Sequence, residues 1–307
     1  MVESVKEKAL PLIKKKSNQG PFSFLIKNIN KELPFAIGIP ALLWQIIFFY
    51  IPLLLILLSS LWSFTDGLTL KHFINVWDWI YFKIAFNSLG LAISTTVLSL
   101  LIGFPLAYFI AFRAKKFKNL FLFLLIIPFW TNFLLHIYAW FFVLEKQGFL
   151  NTLLINLSLI ETPLHILNTP FATMLMMVYY FLPFMALPIY STLENIDRNL
   201  LEASVDLGAN WTQTVRKVLL PLSLSGIRSG ILLVYIPAFG EFVIPDLMGG
   251  DKQYFVGSVI SQFVLGNHTA PLGAAFTVIS TSILTLSIIL LFMGLKKLER
   301  ILTGRVL

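Results

Sequence analysis

Glu241 is the only acidic residue set well inside a long apolar run, and a carboxylate there has few uses. A charge at such depth costs roughly 3 kcal/mol unless it faces a cavity or a partner, so the residue is a functional candidate. Pro237, Gly240 and Pro245 surround it. These residue types break a helix, as expected where backbone lines a cavity. Asp246 follows near the outer end of the same run. Two roles stay open for the pair: direct contact with a passing cation, or a structural link or gate at a protein interface. His136 lies in another apolar run, as a packed or hydrogen-bonded side chain or as a titrating switch. No metal site is expected, because His72, His165 and His268 fall in loops without ligand spacing and there is no cysteine. Paired carboxylates and Ser-Lys or His-Glu constellations are missing at depth, so neither intramembrane catalysis nor a cofactor is expected. The chain also lacks a G-x-x-x-x-G-K-[ST] phosphate loop, so it has no such device for binding ATP.

The elements that must position these residues are membrane helices. The 307-residue chain is 57% hydrophobic and 12% charged, against about 25% charge in a soluble domain. A span needs about 20 apolar residues. Six runs qualify, at approximately 36–61, 85–111, 119–144, 171–193, 225–248 and 273–295. Each is apolar on all faces and must be helical, because in lipid the backbone has to satisfy its own hydrogen bonds. The fold class is thus an all-α membrane protein with six transmembrane helices. About thirty mostly polar residues precede the first run, which is too long for a signal-peptide core and is expected to remain as a span.

With the N-terminus placed in the cytoplasm, 19 of the 23 lysines and arginines fall inside and four, Lys71, Lys83, Lys146 and Lys252, fall outside. That bias places both termini and the 194–224 loop in the cytoplasm. It also accounts for the net charge of +8 without nucleic acid, which is not an expected partner. Residues 1–35 form a basic cytoplasmic arm, read as an anchor to anionic membrane lipid or a partly disordered tail. The outer loops, roughly 62–84, 145–170 and 249–272, have room for short helices only. Trp62, Trp77, Trp79, Tyr81, Phe82, Tyr138, Trp140 and Phe141 mark span ends as an interfacial belt, with substrate contact as the alternative.

The stretch Glu202 to Pro221, EASVDLGANWTQTVRKVLLP, is a polar, basic island between apolar runs. Asp197 can cap a short helix over Arg198 to Leu207. Gly208 supplies a left-handed stop. Asn210 and Gln213 have capping-box spacing. Trp211, Val215, Val218 and Leu219 then form one apolar face. Pro221 predicts a break or sharp bend. An interfacial helix lying in the headgroups is the plain alternative.

The same stretch resembles the "EAA" loop of ABC-importer permeases. That consensus reads Glu-Ala-Ala, three residues, Gly, nine residues, Ile, one residue, Leu-Pro. Glu202, Ala203, Gly208, Leu220 and Pro221 match in register, Ser204 replaces the second Ala, and Val218 stands for Ile. PFWTNFLLHIYAW (128–140), PAFGEFVIPDLMGG (237–250) and NSLGLAIST (87–95) look like the spermidine/putrescine permeases of the B type. The resemblance covers roughly residues 36–300 and implies a type I (MetI-like) permease fold in a bacterial inner membrane. It implies a heterodimer with a homologous permease, two ATP-binding cassette ATPase subunits that hydrolyse ATP, and a periplasmic substrate-binding protein. On this resemblance Glu202, Ala203, Gly208, Trp211, Val218, Leu220 and Pro221 couple to the ATPase. Glu241, Asp246, Trp130, His136 and Tyr138 belong to the substrate path or gate. Polyamine permeases commonly carry Arg where His136 sits. Alternative readings are a permease for thiamine, ferric ion or an opine, and a secondary transporter.

Overall fold

The structure, a computed structural model, describes residues 38–303 except 64–66, 251–253 and 266–269. The expected basic arm at 1–35 lies outside the described residues. The chain divides into two compact units, Met1–Leu58 and Ser59–Leu307. The helices in order are α1 (Gly38–Leu61), α2 (Lys71–Val76), α3 (Trp79–Arg113), α4 (Lys118–Trp130), α5 (Phe133–Leu144) and α6 (Phe149–Asn156). They continue with α7 (Pro170–Glu194), α8 (Arg198–Asp206), α9 (Trp211–Gly240), α10 (Val243–Met248), α11 (Val256–Leu265) and α12 (Ala270–Thr303). A two-residue antiparallel ladder pairs β1 (Trp62–Ser63) with β2 (Gly67–Leu68).

Among the described residues, α1, α3, α7, α9 and α12 are long and apolar enough to cross a membrane uninterrupted. The third expected span, 119–144, is not one helix. Lys118–Trp130 and the segment that follows, Phe133–Asn156, are bent by 100° to one another. Local chemistry explains the break. Thr131 is extended, and its hydroxyl donates to the Pro128 carbonyl at 3.1 Å. Asn132 then starts a new helix by accepting from the Leu134 N–H at 2.9 Å. The second span begins earlier than its apolar run, at Trp79, because the Asp78 side chain caps it through Ile80 N–H at 3.2 Å. Trp79, Tyr81 and Phe82 are therefore helical.

Pro221 does not break its helix, contrary to the sequence expectation. A π turn, Val215–Leu219, stands directly ahead of it, with the Leu220 N–H bonded to the Val215 carbonyl. The wider turn makes room where the proline ring would otherwise meet the carbonyl four residues back. The amphipathic helix and the fifth span are thereby one continuous rod. Pro52 in α1 sits behind a similar π turn, Ile46–Tyr50.

Within the second unit, α7 packs along α3 and α9, and α9 also packs along α3. These three helices carry most of the buried residues, including Met176, Met185, Ile189, Val234 and Tyr235. Small residues allow the closest approach. A Cβ at Gly226 would come within 2.5 Å of the Pro188 carbonyl, and one at Gly230 within 2.8 Å of the Met185 sulfur. This is the small-xxx-small geometry that lets membrane helices touch backbone to backbone. Gly226→Val is expected to destabilise the purified permease by about 1–3 kcal/mol, read as a lower thermal midpoint. Gly294→Val, where nothing lies within 4 Å, is expected to change it little. Equal midpoints for both variants would refute the close-contact account.

Candidate functional site

Two places bring candidate residues together. The first is an elbow joining α7 to α9. The Asp197 carboxylate accepts from Asn199 N–H at 3.0 Å and starts α8. At the other end of α8, Gly208 N–H bonds to the Val205 carbonyl and Ala209 N–H to the Ser204 carbonyl. Gly208 has φ +78. Together these make a Schellman stop, which needs a residue comfortable in the left-handed region. Asn210 and Gln213 form a complete capping box, with both bonds at 2.9 Å. Ser204, the departure from the family pattern, has a structural use: its hydroxyl meets the Thr214 hydroxyl at 3.0 Å in a buried contact. That bond ties α8 to the first turn of α9 across the hinge.

The elbow leaves apolar side chains bare. Leu207 is 88% exposed, and Val205 and Trp211 are also exposed. Glu202, Ala203 and Gly208 are exposed beside them. A cluster of this kind marks a contact surface, for a protein or for the membrane. On its inner side the elbow is braced. The Trp211 ring meets Tyr108 of α3 edge-on at 5.0 Å. Val218, Leu220 and Pro221 are half-buried and Leu219 is fully buried. Lys118 donates to Glu194 while lying 5.5 Å from the Tyr190 ring, tying α4 to α7. Arg228 pairs with Glu299, tying α9 to α12.

The second place is built around Glu241. The fifth span stops at Gly240, the backbone extends at Glu241, and the short helix α10 restarts at Val243. One carboxylate oxygen, Oε1, accepts from Val243 N–H at 2.9 Å and Ile244 N–H at 3.3 Å, capping α10. Glu241 makes no ion pair among the described residues. The side chain lines a cavity of about 450 Å³ with Tyr180, Phe181 and Phe184 of α7 and Ile236 and Pro237 of α9. The bend between α4 and α5 adds more rings behind these. Phe129 meets Phe184 at 4.6 Å, and Phe133 meets Tyr180 at 4.6 Å. A carboxylate beside aromatic faces is a chemical match for an organic cation.

Asp246 does not line this cavity. Its Oδ1 accepts from Ser258 at 2.6 Å, linking α10 to α11. Trp130 is exposed and packs edge-on against Phe123 at 5.8 Å, and Tyr138 is exposed. His136 is hydrogen-bonded through one ring nitrogen to Thr131 and through Nδ1 to Tyr179 at 3.0 Å, which pins the start of α5 to α7. None of these four is among the residues that line the Glu241 cavity. The aromatic wall was missed at the sequence level. Tyr180 and Phe184 stand at i and i+4 on an apolar helix, a spacing that puts both on one face, but nothing local ties that face to Glu241.

The helices and the broken spans define a multi-span membrane protein with an exposed helical elbow between α7 and α9. A sequence profile for the "Binding-protein-dependent transport system inner membrane component" matches residues 99–299. The chain is 38% identical over 263 residues to the "Spermidine/putrescine transport system permease protein PotB" of Escherichia coli, covering 84% of this chain and 96% of that one. It is 40% identical over 264 residues to the protein of that name from Haemophilus influenzae, covering 84% and 92%. The crystal structure of a bacterial ABC transporter involved in the import of the acidic polysaccharide alginate matches with a TM-score of 0.66, over 91% of this chain and 99% of that one. At 18% identity that match speaks to the fold alone. The chain belongs to the family of binding-protein-dependent transport system inner membrane components. Its place in an ABC importer is that of the membrane-spanning permease subunit.

Proposed function

We propose that this permease carries polyamines of the spermidine and putrescine class from a periplasmic binding protein to the cytoplasm. The observation that supports this most is the Glu241 carboxylate in a cavity walled by Tyr180, Phe181 and Phe184. A protonated amine gains from both the charge and the ring faces. Glu241 contacts the cargo, while Asp246 and His136 hold the gate helices around it and Trp130 and Tyr138 flank the path. The permease pairs with a homologous permease, which supplies the facing wall of the path. Two ATPase subunits hydrolyse ATP and grip the elbow through Glu202, Ala203, Gly208 and Trp211. Val218, Leu220 and Pro221 pass the motion into α9. Nucleotide-driven closure then favours one of two arrangements of the spans.

Uptake into vesicles containing the whole transporter tests the substrate. Spermidine or putrescine uptake that needs both ATP and the binding protein is expected. Uptake of thiamine, ferric ion or an opine instead would move the assignment to another importer. Gradient-driven flux by this chain alone would make it a secondary carrier.

Orientation is tested separately. The lysine and arginine bias puts the elbow and both termini in the cytoplasm. Because the chain has no cysteine, Leu207→Cys gives a single label site. An impermeant maleimide is expected to label it in inverted vesicles and not in right-side-out cells, with protection once the ATPase binds. Labelling from outside would overturn the coupling role.

A further inference from the structure

One chain of hydrogen bonds crosses the break in the third span. It starts at the Pro128 carbonyl in α4, passes through the Thr131 hydroxyl and the His136 ring, and ends at the Tyr179 hydroxyl on α7. Thr131 lies 3.1 Å from Pro128, and Tyr179 lies 3.0 Å from His136 Nδ1. The other ring nitrogen, Nε2, meets Thr131 Oγ1.

The available protons fix the direction of each bond. A carbonyl only accepts, so Thr131 gives its one hydroxyl proton to Pro128. Thr131 then offers His136 lone pairs alone, and Nε2 must carry a proton to use them. A neutral ring protonated at Nε2 has a bare Nδ1, which accepts from the Tyr179 O–H. Every donor in the chain is used once. A network satisfied in this way, away from bulk water, holds its members in one arrangement.

That arrangement sets what stands behind the cavity wall. Phe129, before the break, meets Tyr180 at 5.8 Å and Phe184 at 4.6 Å. Phe133, after it, meets Tyr180 at 4.6 Å. A swing of α5 against α4 would part these rings. Tyr179 is the residue next to Tyr180, and its ring stands edge-on to Trp140 of α5 at 5.5 Å. We propose that Tyr179 and Thr131 are positioning residues for the cargo. Acting through His136, they lock the third span at its break, and the locked break holds Phe129 and Phe133 against the rings that line the Glu241 cavity. This inference rests on that cavity being the cargo site.

Spin labels separate the brace from the cargo. The chain has no cysteine, so Leu124→Cys and Phe142→Cys, both at exposed positions, place one label on each side of the break. In the transporter assembled with cysteine-free partner subunits in nanodiscs, a narrow label-to-label distance distribution is expected. Tyr179→Phe keeps the ring and removes the bond; Thr131→Val keeps the shape and removes the hydroxyl. Each is expected to broaden the distribution about twofold and to lower spermidine uptake about fivefold in vesicles containing the whole transporter. Thr131→Ser restores a hydroxyl and is expected to keep the narrow distribution and most of the uptake, a rescue that packing alone would not give. An unchanged distribution in both the Phe and the Val variants would overturn the brace. A broadened distribution with full uptake would overturn the positioning role, and a Ser variant that behaves like Val would overturn the hydrogen-bond account. A wild type that moves no polyamine would overturn the cargo reading instead; the label distances would still decide the brace, and uptake of the cargo it does carry, read in the same variants, would decide the positioning role.

Discussion

Replacing Gly208 by Val is expected to lower ATP-driven uptake at least tenfold while leaving membrane insertion and binding-protein docking intact. The residue sits at φ +78, and nothing lies within 4 Å of where its Cβ would be. Space is therefore not the constraint; the backbone is. A left-handed conformation costs an ordinary residue roughly 1–2 kcal/mol, and a β-branched residue is less tolerant still. Two bonds depend on that conformation: Gly208 N–H to the Val205 carbonyl and Ala209 N–H to the Ser204 carbonyl. Losing them frees α8 to turn against α9 and moves Leu207 on the exposed knob. The spans are untouched, so the damage should fall on coupling. About 1.4 kcal/mol is tenfold in an equilibrium, which sets the size expected. Gly208→Asn is the matched variant, since Asn visits this region more readily, and it should retain much of the activity. Full uptake by the Val variant would remove the elbow from the coupling mechanism.

Glu241→Gln is expected to lower polyamine uptake tenfold or more, with expression and binding-protein docking unchanged. Gln keeps an acceptor oxygen of the same reach, so the cap on α10 through Val243 and Ile244 survives. What it removes is the charge. At an effective dielectric near 20, a charge pair 4 Å apart is worth about 4 kcal/mol before desolvation is counted. A loss of tenfold needs only about a third of that. Glu241→Ala removes cap and charge together and should be worse than Gln, with α10 itself loosened. If Gln transports as well as wild type while Ala does not, Glu241 is a structural cap and cargo is recognised elsewhere.

Much of the elbow was legible residue by residue. Asp197, Gly208, and the Asn210–Gln213 pair act through bonds that close within five positions, so their spacing carries the geometry. The break around Glu241 was legible for the same reason, from Pro237, Gly240 and Pro245. Pro221 misled because its usual effect assumes an α-helical turn before it, and the π turn at Val215–Leu219 has no residue type that announces it. The 100° bend in the third span hid behind an unbroken apolar run. Hydropathy reports that a segment can sit in lipid and is blind to a two-residue interruption at Thr131 and Asn132.

The sequence by itself determined the solvent, the helices, the side of the membrane to propose for the loop, and most of the caps. These follow from composition, charge distribution and short-range hydrogen bonding. Only the tertiary structure decided which side chains meet. Ser204 finds Thr214 because the elbow folds back on itself. Tyr180 and Phe184 reach Glu241 because Gly226 and Gly230 let α9 lie directly against α7. Such meetings depend on how closely helices distant in the chain can approach, and that distance is set by packing, which no local spacing records.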